Sequence, residues 1–105
     1  MGALYVVKIK AEPMPGSQSA DKFGGAYINV YAKASSESAA LEIAGREVAE
    51  AGWRSQSIRE VALVTRKDFV DDSDGLEYFK QAQVDGIVVV VHTYPIYPDE
   101  DDVRH

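Results

Sequence analysis

SSESAALEIAGREVAEAGW, residues 35–53, carries a helix with both of its ends written into it. Ser35 can offer its hydroxyl oxygen to a free amide two or three residues on, and Glu37 then falls in the first turn against the positive end of the helix dipole. At the helical period Ala40, Leu41, Ile43, Ala44, Val48 and Ala51 gather on one side, and Ala39, Glu42, Arg46, Ala49 and Glu50 on the other. Glu42 and Arg46 are spaced as a four-residue ion pair worth only about 0.2–0.5 kcal/mol, so packing must hold the helix. Gly52 supplies the left-handed residue that ends it, and Trp53 can fold back on the last turn. The small residues on the apolar side fit close approach to a sheet, which the rest of the chain must supply.

Four stretches read as strands. Residues 4–10, LYVVKIK, place Tyr5, Val7 and Ile9 on one face and Leu4, Val6, Lys8 and Lys10 on the other. Residues 26–34, AYINVYAKA, alternate cleanly, with Ala26, Ile28, Val30 and Ala32 opposite Tyr27, Asn29, Tyr31 and Lys33. Residues 57–66, SIREVALVTR, break alternation at Glu60, Val61 and Ala62, which points to a bulge. Residues 87–94, IVVVVHTY, form a nearly unbroken apolar run, as in a strand covered on both faces or covered on one by a partner. A second helix is expected from Ser73 or Asp74 through Gln83, closed by Asp85-Gly86. Between the first two strands, residues 12–25 hold two prolines and three glycines and read as a long loop.

The expectation is therefore an α+β fold of order ββαβαβ: a two-layer sandwich with a four-stranded, mainly mixed sheet, two helices on one face and right-handed crossovers between the last three strands. In its parts this resembles the two-layer ferredoxin-like architecture, although the order differs from βαββαβ, and no function is carried across. Residues 1–98 read as one domain and residues 99–105 as an acidic, mobile tail. With 105 residues and 46% hydrophobic content, the chain has room for a single core. It has no cysteine, which removes disulfides and thiolate metal sites. With neither a spanning apolar run nor a secretory leader in sight, a cytoplasmic protein that does not enter membranes is expected.

Net charge is −6, and it is unevenly spread. Residues 1–66 hold 8 basic and 7 acidic groups, and residues 67–105 hold 3 basic and 10 acidic. No Lys/Arg cluster appears in the sequence, so nucleic acid is not an expected partner and a basic protein is. Single-stranded RNA binding on sheet aromatics is set aside for the same reason, with Lys8 and Lys33 a poor cationic groove.

The motifs that could carry chemistry are thin. Asp71, Asp72, Asp74 and Gly75 suggest a calcium loop, but alignment of Asp72 and Asp74 with its ligand positions leaves Val70 and Gln81 where carboxylates are needed. Gly24-Gly25 lacks the lysine and helix start of a phosphate loop. His92, near the end of the last strand, and His105, the final residue, have no visible ligand set or nucleophile. Glu47 lies beside the buried stripe of its helix, where an unpaired carboxylate would have a raised pKa. No cofactor is expected and enzymatic activity is less expected than binding.

The leading expectation is a non-enzymatic interaction or regulatory domain that self-associates through an open sheet face built from Leu4, Val6, Tyr27, Asn29, Tyr31 and Lys33. Its acidic C-terminal third would face a basic protein, and an inhibitor or immunity-like role is compatible with that. The alternative is a small-molecule or enzymatic pocket between the sheet face and loop 12–25, with Glu47 and His92 supplying polar groups.

Overall fold

The structure, a computed structural model, describes residues 3–16 and 23–95. Strand β1 spans Ala3–Pro13, β2 Phe23–Ala34, helix α1 Glu37–Glu50 and β3 Trp53–Val64. A 3-10 turn at Arg66–Phe69 leads to α2, Ser73–Asp85, and β4, Ile87–Pro95. The class is α+β and the element order ββαβαβ, as the sequence implies. The acidic tail lies outside the described residues. Of the residues expected in the long loop, 12–13 belong to β1 and 23–25 to β2, and residues 17–22 lie outside the described residues.

The sheet runs β3-β1-β2-β4 with every neighbouring pair antiparallel, where a mixed sheet was expected. Among consecutive strands of the described residues only β2 and β3 run parallel to each other, each pairing antiparallel with β1 between them, so α1 makes the one crossover between parallel strands. Helix α1 starts one residue later than anticipated: Ser36, not Ser35, is the cap, its Oγ accepting from the Ala39 amide at 3.1 Å. Gly52, at φ +89°, and Gly86, at φ +89°, end α1 and α2 in the left-handed region. The Glu42–Arg46 pair forms at 3.6 Å on the exposed side of α1.

The helices do not share a face. Ala40, Ala44 and Val48 of α1 meet Val7, Ile9, Ala11, Ala26, Ile28, Val30, Ala32 and Trp53 on one side, which makes the sandwich proper. Phe79 and Ala82 of α2 meet Leu4, Val6, Tyr31 and Phe69 on the reverse side. The reason is connectivity. β3 and β4 are opposite edges, so the segment joining them must cross the whole sheet, and α1 already occupies the first side. The apolar residues of both parities in β1 and β4 then find cover, which is why the run in β4 scarcely alternates.

The bulges fall on β3. Its register against β1 shifts between Lys8 and Ile9 and again between Lys10 and Ala11, which leaves Arg59 and Gln56 without partners in the ladder. They lie just before the expected Glu60–Ala62 stretch.

Candidate functional site: a groove on the half-covered sheet face

Cross-strand registry orders the reverse face into rows. Ala62, Val6, Tyr31 and Val88 form one row, beneath α2. Glu60, Lys8, Asn29 and Val90 form the next, and Ser57, Lys10, Tyr27 and His92 the one beyond it. Helix α2 reaches only the apolar end, so polarity rises along the strands as cover is lost.

This gradient divides the six residues expected at an open interface. Leu4, Val6 and Tyr31 are 6%, 5% and 5% exposed and belong to the α2 core. Tyr31 packs against Phe69 at 6.0 Å and Tyr78 at 5.7 Å between ring centroids. Tyr27 is exposed, Asn29 half-buried, and Lys33 donates from Nζ to the Gln83 carbonyl at 3.0 Å, tying β2 to α2. The proposed pocket pair is also separated: Glu47 stands on α1, on the other side of the sheet from His92, which registers with Tyr27. Facing opposite sides of the sheet, they line no common hollow among the described residues.

Three adjoining hollows make a continuous groove. The first, about 440 Å³, is lined by Lys10, Tyr27, His92, Thr93 and Tyr94. The second, about 250 Å³, shares Tyr27 and adds Lys8, Asn29, Arg59 and Glu60. The third, about 340 Å³, shares Lys8, Asn29 and Glu60 and reaches Tyr31, Asp68 and Asp72 at the foot of α2. Tyr27 lies against Tyr94 at 5.6 Å, and the Arg59 guanidinium sits 5.0 Å from its ring centroid. Lys8 pairs with Glu60 at 3.7 Å, and the Arg54 guanidinium donates to Glu12, from Nε at 2.8 Å. Among the described residues, Lys10 and Arg59 make no ion pair.

Gly25 builds one wall. A Cβ there would strike the Tyr94 hydroxyl, lie 2.6 Å from Tyr94 Cζ and 2.8 Å from the Ala11 carbonyl oxygen. The absent side chain lets the Tyr94 ring lie across β2 toward Tyr27. Gly25→Ala should expel that ring and cost about 1–3 kcal/mol as an overpacked site, read by chemical denaturation and by loss of Tyr94–Tyr27 ring contacts in NMR.

Burial beneath α2 pushes the Tyr31 phenol above its ordinary value, with the Asp72 carboxylate and Tyr78 adding to the effect. The folded state therefore holds this proton when the unfolded chain has released it. The resulting stability is fully present below the unfolded pKa near 10 and is lost as pH rises through the folded value. Asp72→Asn keeps a cap for the Gly75 amide, which Asp72 Oδ1 accepts at 2.9 Å, and removes a charge. Spectrophotometric titration should then show Tyr31 ionising at lower pH than in wild type, still above 10 because burial persists.

His92 is exposed, with no hydroxyl or carboxylate hydrogen-bonded to it among the described residues. Nor is any group of three His, Cys, Asp or Glu there placed to hold a metal. Asp72 and Asp68, from the calcium-like run and the turn before it, serve as caps, Asp68 accepting from the Thr65 amide at 2.7 Å. Lys10, Arg59 and Tyr94 were not singled out by sequence reasoning. Strand parity could have placed Lys10 beside Tyr27, but the bulge hides which way Arg59 turns.

No family model, curated protein or solved structure matches this chain. No helix among the described residues is long and apolar enough to cross a membrane.

Proposed function

We propose that this chain is a small non-enzymatic interaction domain that self-associates, with the contact at the β4 edge in place of the tyrosine face. The observation carrying this reading is the unequal protection of the two sheet edges. Strand β3 carries two register breaks together with Arg54, Arg59 and Glu60, the usual means of blocking edge-to-edge pairing. Strand β4 has no Lys, Arg, Asp or Glu, keeps unbroken register from Ile87 to Thr93, and turns Ile87, Val89 and Val91 toward the margin of α1. Val91 is 39% exposed. An antiparallel pair of β4 strands about a two-fold axis would satisfy both free edges and bury those side chains against their counterparts. In a chain of net charge −6, repulsion between copies is least at an uncharged strand. Asp71, Asp74, Glu77 and Asp85, exposed around α2, remain available to a basic protein partner.

Sedimentation across a concentration range tests the reading. Wild type should show reversible dimerisation, and Val91→Lys should weaken it by about tenfold or more, since an unpaired ammonium would be buried at the junction. Ile58→Lys on β3 and Tyr27→Glu on the reverse face should leave it unchanged. A wild type that stays monomeric, or a loss confined to Tyr27→Glu, would defeat the edge assignment.

A further inference from the structure

We propose that the groove on the reverse face binds a small aromatic phosphomonoester, the chemistry of a mononucleotide, independently of self-association. Charge is the first argument. The chain carries −6, yet Lys8, Lys10, Arg54 and Arg59 gather at the uncovered end of this face beside Glu12 and Glu60, while the groove's other two acids, Asp68 and Asp72, lie at its far end at the foot of α2, where they serve as caps. With Lys8 and Arg54 paired to Glu60 and Glu12, the charges without an ion-pair partner among the described residues are Lys10 and Arg59, the latter set beside the Tyr27 ring. Two such charges match the roughly −1.5 to −2 of a phosphomonoester near neutral pH.

Their arrangement is the second argument. The cations stand on β1 and β3, while Tyr27, His92 and Tyr94 stand on β2 and β4, so the charged and aromatic halves lie side by side across the sheet. Lys10, Tyr27 and His92 are direct partners in one row, spaced by about 4.8 Å per strand. A phosphate held by Lys10 and Arg59 therefore places an attached ring about one or two strands away, in the 440 Å³ hollow lined by Tyr27, His92 and Tyr94. That volume lies in the usual range for small-ligand sites, and aromatic stacking accepts any planar heterocycle. Asn29, with no side-chain hydrogen bond among the described residues, lines the adjoining hollow and can pair with the polar atoms between ring and phosphate.

The test is a titration of the full chain with adenosine 5′-monophosphate, followed by backbone amide NMR. Saturable shifts are expected at Lys10, Tyr27, His92 and Tyr94, with adenosine and ribose 5-phosphate each weaker by about tenfold or more because each lacks one half of the ligand. Lys10→Gln/Arg59→Gln, at a half-buried and an exposed position, should abolish the difference between the nucleotide and adenosine while leaving the thermal melt unchanged. The dimer-weakening Val91→Lys should bind the nucleotide as wild type does, which separates this site from the edge contact. Absence of saturable shifts at these four residues overturns the proposal. So does undiminished nucleotide binding in the double variant, or binding of an octauridylate strand where the mononucleotide is silent.

Discussion

Phe79→Ala is expected to destabilise the fold by about 3–5 kcal/mol, measured by urea denaturation, because it removes the side chain that seats α2. Phe79 is 4% exposed and its ring stands 5.4 Å from Phe69, which in turn meets Tyr31. Without it Ala82 is the only other fully covered side chain on the helix with a Cβ, too small to hold thirteen residues on the sheet alone. A second signature should accompany the loss. Water entering beneath α2 relieves the burial that raises the Tyr31 phenol, so its titration should move down toward 10. A variant that loses under about 1 kcal/mol and leaves Tyr31 titrating as before would mean that α2 is not seated by this ring.

Trp53→Ala should cost a comparable amount, about 3–5 kcal/mol, for a different reason. Trp53 opens β3, is 5% exposed, pairs with Pro13 and lies 6.4 Å from Phe23, closing the α1 core where the four strands reach their far end. Trp53→Phe should retain most of the stability, since the smaller ring still fills part of the gap. The two core sites also make a joint prediction. Trp53 and Phe79 belong to clusters on opposite sides of the sheet with no shared member, so Trp53→Phe and Phe79→Leu should add to within about 0.5 kcal/mol. Helices packed side by side on one face would couple the two, and a larger interaction energy in the double-mutant cycle would argue for that arrangement.

Each element was legible because its signal is local. Helix α1 shows its apolar stripe, its serine-rich start and Gly52 within one window, and the error of one residue at the cap reflects two adjacent serines of equal chemistry. Strand β2 was legible from strict alternation. The ends of β1 and β2 were not, since Pro13 sits at an end where a missing amide is tolerated and Gly25 is kept in the strand by the Tyr94 ring from β4. Neither fact is present within a window of either strand. At the groove, the parity of Tyr27 and Lys10 could be read, whereas the convergence of Lys10 and Arg59, nearly fifty residues apart, depended on the pairing of β1 with β3 and on a bulge.

By itself the sequence determined which segments are helix and which are strand, and which side of each segment is apolar, because these follow from hydrogen-bonding period and side-chain chemistry along a few turns or pleats. Tertiary structure alone decided which apolar side meets which. Putting β3 and β4 at opposite edges sent α2 across the reverse face, buried Tyr31 while leaving Tyr27 in the open, and gathered cations in a chain that is acidic overall. The physical reason is that a strand offers two faces with equal claim on cover, and only long-range pairing determines which face each helix reaches.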